Sequence, residues 1–141
     1  MKNLIYLFAC LALVSSLAGC YDQSVLDSKD GVATLPTITG LTYTLSGNTA
    51  TLNWGIPSNI SPSVQRPLNV VVQVNRWRPG VTSPVRVALV TLSGEPTTYT
   101  YTIPADEGEY HAIIKLSGNV VESQYGLSPT IYSLGQTVIL K

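Results

Sequence analysis

Residues able to bind a sugar alternate along the segment Leu68–Trp77. The even positions of this segment are apolar, whereas Gln73, Asn75 and Trp77 fall on the opposite face of an extended chain. An indole ring can stack on the C–H face of a sugar, and amide groups can bond its hydroxyls. The pattern therefore predicts a carbohydrate-binding surface around Trp77. The alternative is that Trp77 is covered by a loop or closes the edge of the core.

A second segment, Glu109–Leu116, alternates in the same way. Tyr110 begins its apolar face, whereas His111 and Lys115 lie on the other face. We expect the two segments to be neighbouring strands of the β-sandwich that the rest of the chain predicts. His111 and Lys115 would then share one sheet face with Trp77 and extend the same binding surface.

The charged residues are divided unevenly along the chain. Arg76 and Arg78 flank Trp77, and with Arg66 and Arg86 they make residues 66–86 purely basic. The later part is mainly acidic, through Glu95, Asp106, Glu107, Glu109 and Glu122. This asymmetry could favour an anionic glycan bound near Arg76 and Arg78. Alternatively, the arginines pair with these carboxylates across strands and form an ordinary solvated surface.

The sequence does not indicate catalysis. His111 is the only histidine, and the chain has no Gly-x-Ser-x-Gly nucleophile motif. Asp106, Glu107 and Glu109 are close enough in sequence to suggest paired carboxylates or a calcium site, but they also fit an ordinary polar turn. We therefore predict a protein that is not an enzyme, with no catalytic residue, no metal and no cofactor.

Composition limits the fold and the classes of partner. The chain has 141 residues, of which 45% are hydrophobic and 11% are charged, and this length suits a single domain. Eight Lys and Arg balance eight Asp and Glu, so nothing favours nucleic acid. Abundant Thr, Val and Tyr, with 11 Gly and 9 Pro, indicate an all-β protein.

The first residues of the chain have the layout of an export signal. Lys2 precedes an apolar run, Leu4–Val14, which is followed by small residues. A transmembrane helix is the alternative. Even when counted to Ala18 the run falls short of the roughly 20 residues that a helix needs to cross a bilayer. The pattern therefore favours a signal peptide.

The tetrapeptide Leu17-Ala18-Gly19-Cys20 resembles the lipobox of bacterial lipoproteins. The resemblance implies cleavage before Cys20 and attachment of diacylglycerol to its thiol, with residues 1–19 removed. Two or three acyl chains would anchor the protein durably in a membrane, because each buried CH₂ contributes about 0.8 kcal/mol. Cys10 would leave with the signal peptide, so no disulfide is predicted.

Residues 20–33 are polar, lack periodicity and predict a flexible tether. Their acidic residues, Asp22, Asp27 and Asp30, outnumber the single Lys29. Acidic residues soon after the lipidated cysteine are similar to the export tag of surface lipoproteins in glycan-utilising Gram-negative gut anaerobes. The resemblance implies an outer-membrane protein that faces the cell surface.

Residues 34–141 predict an antiparallel β-sandwich of seven strands separated by Gly, Pro, Asn and Ser clusters. The predicted strands are Thr37–Thr44, Thr49–Trp54, Leu68–Trp77, Val85–Leu92, Thr97–Ile103, Glu109–Leu116 and Pro129–Leu140. Turns are expected at Ser46-Gly47-Asn48, Pro79-Gly80, Ser93-Gly94 and Gly118-Asn119, where Gly or Asn can adopt positive φ.

The predicted sandwich resembles the fibronectin type III branch of immunoglobulin-like domains. Residues 49–57, with Leu52 and Trp54 directed inward, resemble the second strand of that family. Ile103-Pro104 followed by Tyr110 resembles the corner between the fifth and sixth strands. There the resemblance implies a buried tyrosine bonded to upstream backbone.

These observations leave two classes of function open. The first is a surface lipoprotein that captures a glycan or supports a complex that does so. The alternative is a structural or adhesive module that contacts another protein through an apolar patch or an unpaired edge strand.

Overall fold

The computed structural model describes residues 34–121 and 129–140, and it consists there of β-strands joined by turns and loops. Cys20, the predicted signal peptide and the predicted tether lie outside these residues. The strands are β1 (Thr39–Ser46), β2 (Thr49–Gly55), β3 (Asn69–Trp77), β4 (Val85–Leu92), β5 (Thr98–Thr102), β6 (Glu109–Asn119), β7 (Thr130–Tyr132) and β8 (Gln136–Ile139). No helix capable of crossing a bilayer occurs in the two described ranges.

The strands form two antiparallel sheets, and the predicted all-β sandwich is confirmed. One sheet has the order β1-β2-β5. The other has the order β4-β3-β6-β7, and β8 also pairs with β6. The expected neighbours β3 and β6 pair along the whole of β3, with Val72 opposite Ile114 and Asn75 opposite His111.

The last predicted strand, Pro129–Leu140, is two strands in the structure. Both pair with β6, and Ser133 lies between them. The Ser133 hydroxyl accepts a hydrogen bond from the Leu116 backbone N–H at 2.8 Å, and the Ser133 N–H donates to the Leu116 carbonyl at 2.9 Å. The Ser133 hydroxyl thus takes the place of a backbone carbonyl in the hydrogen-bond ladder with β6. This substitution separates residues 129–140 into β7 and β8. The sandwich therefore has eight strands rather than the predicted seven.

The core lies between the two sheets and is formed by alternate residues of the central strands. Its members from β2, β3 and β6 are Ala50, Leu52, Trp54, Val70, Val72, Val74, Tyr110, Ala112, Ile114 and Leu116. Full burial of one larger apolar side chain contributes about 1.5–3 kcal/mol. The indole of Trp54 also donates to the Pro96 carbonyl at 2.9 Å, so its polar group is satisfied inside the core.

The outer face of the smaller sheet carries hydroxyl side chains almost throughout, and we call it the threonine face. Its residues are Thr42, Thr44, Ser46, Thr49, Thr51, Asn53, Thr98, Thr100 and Thr102. They lie in register across three strands, so that Thr44, Thr51 and Thr100 form one row. β-branched side chains pack well on a pleated surface, which explains why threonine is suited to these positions.

Three of the predicted turns are confirmed by glycine conformation, and the fourth is wrong. Gly47, Gly80 and Gly94 have φ of 58°, 76° and 85°. Gly118, by contrast, lies within β6. A Cβ at Gly118 would be 2.7 Å from Leu68 Cδ2 and 2.9 Å from a Val64 methyl group. This glycine allows close packing instead of a turn.

Candidate functional site

The pairing of β3 with β6 positions the predicted binding residues. Asn75 lies opposite His111, Trp77 lies opposite Glu109, and Lys115 lies opposite Val71. Because opposite residues in an antiparallel pair point to the same side, Gln73, Asn75, Trp77, His111 and Lys115 share the outer face of the larger sheet. We call this surface the site face. The shared face is confirmed, whereas its binding role stays a prediction.

Trp77 and His111 are in contact on this face. Their ring centroids are 5.9 Å apart, and the planes are tilted by 43°. The His111 Nε2 atom is also hydrogen-bonded to the Glu109 carboxylate. The expected surface histidine is therefore partly covered, with its side chain 21% exposed. The indole and the carboxylate together fix the orientation of the imidazole.

The two amides of the site face bond to each other. Gln73 Nε2 donates to Asn75 Oδ1 at 2.9 Å. This bond uses one polar atom of each amide, so each retains a second polar atom of the type that bonds a sugar hydroxyl. Lys115 is directed elsewhere, because its Nζ atom lies 6.0 Å from the ring centre of Tyr132.

An open cavity of about 360 Å³ lies where β3 ends and β6 begins, and Trp77 forms part of its wall. The other lining residues are Arg78, Pro79, Glu107 and Glu109. The volume is at the lower end of the roughly 300–1,000 Å³ range of ligand sites. Aromatic, cationic and carboxylate groups thus converge on one concave surface.

Arg76 does not belong to the site face. It continues the even positions of β3, whose side chains point between the sheets, and its guanidinium lies 2.8 Å from Asp106 Oδ2. Strand alternation therefore places it on the side opposite Trp77, although the two residues are adjacent in sequence. Its Nε atom is buried and has no hydrogen-bond partner, and a Cβ on Gly108 would be only 2.5 Å from it.

Asp106 also explains how the corner before β6 is built. Tyr110 is 1% exposed, and its hydroxyl donates to the two Asp106 carboxylate oxygens at 3.0 and 2.9 Å. Burial of the ring, together with this hydrogen bond, raises the pKa of Tyr110 above its ordinary value. The expected burial of Tyr110 is confirmed. The expected partner is wrong, since it is a side chain and not the backbone.

The other end of β3 carries a second ion pair. Arg66 binds Glu95 through two hydrogen bonds, of 2.9 Å from Nε and 2.6 Å from Nη2. Glu95 Oε1 also accepts the Leu68 backbone N–H at 2.9 Å. The hydrogen bonds from Arg66 lower the pKa of Glu95, and the same contact raises the pKa of Arg66. Both arginines thus fit the ion-pair alternative rather than an anion-binding cluster.

Three cavity residues, Pro79, Glu107 and Glu109, were not predicted as part of the binding surface. Pro79 was expected only as a turn residue, and the two glutamates only as paired carboxylates, calcium ligands or parts of a polar turn. Pro79 follows β3 and Glu107 precedes β6, so strand alternation gives no information about the direction of their side chains. Within the described ranges no group of three or more metal-ligating side chains is found.

Comparison with known proteins identifies the family of the chain. No curated protein matches it. The family model described as Domain of unknown function (DUF4945) matches residues 20–140. This match spans most of the chain, including all of the described strands. The chain therefore belongs to the DUF4945 family.

Proposed function

We propose that this protein is an exported, lipid-anchored and non-catalytic module that binds a glycan in the cavity beside Trp77. The observation that carries the proposal is the position of Trp77, which contacts His111 and lines an open cavity with Arg78, Glu107 and Glu109. An aromatic ring next to charged donors and acceptors suits a sugar, whose rings present C–H faces and hydroxyl edges.

The proposed anchor depends on the sequence before the domain. Leu17-Ala18-Gly19-Cys20 is similar to a lipobox, and the family match begins at residue 20, where cleavage would place the first residue of the mature chain. Acidic residues in the tether support export to the cell surface of a Gram-negative bacterium. The lipid would hold the protein at the outer membrane, so that the domain has no need of a membrane-binding surface.

The strand arrangement supports a relationship to fibronectin type III domains. The first, second and fifth strands form one sheet, while the third and sixth are neighbours in the other, as in immunoglobulin-like sandwiches. Such folds carry many functions, so the proposed activity depends on the cavity and not on the fold.

The glycan proposal is tested by affinity electrophoresis of the full-length protein, in detergent, through gels that contain a panel of polysaccharides. We expect Trp77→Ala to abolish retention by at least one polysaccharide and to change the melting temperature little. Tyr132→Ala is the matched control, because Tyr132 is an exposed aromatic on the same sheet but does not line the cavity. Equal retention of wild type and Trp77→Ala would contradict the proposal.

The anchor is tested separately by labelling cells with a radioactive fatty acid. Cys20→Ser should abolish incorporation of the label into the protein, whereas Cys10→Ser should leave incorporation unchanged because Cys10 lies in the predicted signal peptide. Continued labelling of Cys20→Ser would contradict lipidation at this residue.

Strand β4 favours a second candidate function, a module that contacts another protein. In the described part of the chain β4 is an edge strand of the larger sheet. Its residues Val85, Val87 and Leu89 are 51%, 44% and 52% exposed. An apolar edge strand can accept a partner strand by backbone hydrogen bonding. Under this alternative, Val87→Lys removes binding of the protein partner, whereas Trp77→Ala leaves it unchanged.

A further inference from the structure

The charges around the Trp77 cavity restrict which glycans it can hold. Among the lining residues, one guanidinium, that of Arg78, accompanies the two carboxylates of Glu107 and Glu109. The net charge of these three side chains is −1. Even if His111, which is bonded to Glu109, is counted as a cation, the net charge is only zero. The cavity wall therefore has no excess of positive charge.

The other cations of β3, β4 and β6 change this balance little. Arg86 lies opposite Asn75 on the edge strand β4 and is not one of the residues that line the cavity. Arg76 faces the other side of β3 and is paired with Asp106. Lys115 is directed to Tyr132. Positive and negative groups near Trp77 are thus almost equal in number.

Two of the four arginines in the segment that could have attracted an acidic polysaccharide are paired with carboxylates. Arg66 is bound by Glu95 at the far end of β3, and Arg76 by Asp106. Recognition of a polyanion needs cations that are available to neutralise it, and the resulting attraction weakens as salt increases. The geometry of this face does not provide such a cluster.

Hydroxyl groups match this cavity better than charged groups do. A carboxylate accepts hydrogen bonds, so Glu107 and Glu109 can bind the O–H group of a sugar hydroxyl. A guanidinium donates hydrogen bonds, so Arg78 can bind the hydroxyl oxygen. A carboxylate on the ligand would approach Glu107 and Glu109 at the cost of like-charge repulsion. The Trp77 ring supplies the apolar contact.

We infer that the cavity binds an uncharged polysaccharide segment, with Trp77 stacked on a sugar ring and Glu107, Glu109 and Arg78 bonded to its hydroxyls. This inference rests on the proposed function and names its ligand class. The cavity is open and small, which suits a short stretch of a polymer that passes across the site face.

The test uses the full-length protein in detergent and an array of polysaccharides, each in unmodified, carboxymethylated and diethylaminoethylated form. We expect at least one unmodified polymer to bind at least tenfold more tightly than its carboxymethylated derivative, because Glu107 and Glu109 repel carboxylates. Its affinity should change less than twofold between 50 and 500 mM NaCl, because little of the binding energy is long-range charge attraction. Tighter binding of either charged derivative would overturn the inference while leaving the glycan proposal intact.

Two substitutions identify the groups that set this preference. Glu107→Gln removes one negative charge and should raise the affinity for the carboxymethylated polymer relative to the unmodified one. Arg78→Gln should lower the ratio of the affinity for the carboxymethylated polymer to the affinity for the unmodified one. A ratio that neither substitution changes would overturn the inferred role of the cavity charges. An array on which no polymer binds would overturn both the inference and the proposed function.

Discussion

The two ends of strand β3 are each fixed by an arginine and a carboxylate, and the two pairs are built differently. At the start of the strand, Arg66 and Glu95 form a bidentate pair, in which the arginine side chain is 48% exposed and the glutamate 18%. At the end, Arg76 and Asp106 are 22% and 33% exposed, and the same carboxylate accepts from Tyr110 and Gly108. The Arg66–Glu95 pair holds a surface loop in place, while the Arg76–Asp106 pair stabilises the corner next to the candidate site.

This difference predicts where stability and binding are coupled. Solvent screens the Arg66–Glu95 pair, so its loss should affect neither the fold nor the site greatly. The Arg76–Asp106 pair joins β3 to the turn that leads into β6, and Glu107 and Glu109 of the cavity flank that turn. Damage at this end should therefore weaken both stability and glycan retention.

The largest expected effect is that of Asp106→Ala. The substitution removes the partner of a half-buried guanidinium and the acceptor of the Tyr110 hydroxyl, so we expect a loss of about 2–4 kcal/mol in the free energy of unfolding. Urea denaturation measures it. Glu107→Ala, at the exposed neighbouring position, should cost less than about 0.5 kcal/mol. Equal costs for the two variants would contradict the structural role assigned to the Asp106 carboxylate.

Tyr110→Phe should have the next largest effect, about 1–2 kcal/mol, because it removes one buried hydrogen bond and keeps the ring. The variant also tests the raised pKa of Tyr110. In the unfolded chain the tyrosine ionises near its ordinary pKa of about 10, before the buried hydroxyl does, so stability is lost as pH rises above that value.

Unfolding curves from pH 8 to 11 therefore distinguish the variant from the wild type. Tyr110→Phe should lose less stability over this range than the wild type loses. Tyr132→Phe, which changes an exposed tyrosine, should follow the wild type. Parallel curves for Tyr110→Phe and the wild type would show that the hydroxyl has the same pKa in both states.

Gly108→Ala should have a smaller effect, about 1 kcal/mol. The added Cβ would lie 2.5 Å from Arg76 Nε and 2.9 Å from Arg76 Cγ, so the arginine must shift within its contact with Asp106. The melting temperature and the glycan retention should both decrease slightly. An unchanged melting temperature would mean that the guanidinium moves without cost and that its position does not organise the corner.

Glu95→Gln should have the smallest effect. Because the pKa of Glu95 is held below its ordinary value, its charge stabilises the fold above about pH 4.5. That stabilisation disappears as pH falls through the lowered pKa. The melting temperatures of the variant and the wild type should therefore differ at pH 7 and converge near pH 2. A loss of glycan retention in Glu95→Gln would contradict the separation of the two ends.

Strand alternation was sufficient to predict which side of the larger sheet carries the candidate site. It placed Val70, Val72 and Val74 in the core, and it placed Asn75 and Trp77 outside, as the structure has them. A period of two residues is a local property of an extended chain, so a sequence reveals it directly. The pairing of β3 with β6 followed from the predicted sandwich.

Contacts between distant side chains were predicted less well. Arg76 was grouped with Trp77 because the two are adjacent in sequence, although alternation assigns them to opposite faces. The partner of Tyr110 and the packing of Gly118 against Leu68 depend on distances that only the folded chain defines. Ser133 divides the last segment through a hydrogen bond between its hydroxyl and the Leu116 N–H. The hydrophobic periodicity of the sequence does not predict such a bond.

The threonine face provides a place to attach a probe without disturbing the candidate site. It carries neither a charge nor an aromatic ring, and it lies on the opposite side of the sandwich from Trp77. Residues 34–141 contain no cysteine, so Thr51→Cys would give this domain a single thiol. A fluorophore or a sensor surface coupled there would leave the Trp77 cavity turned toward the solution.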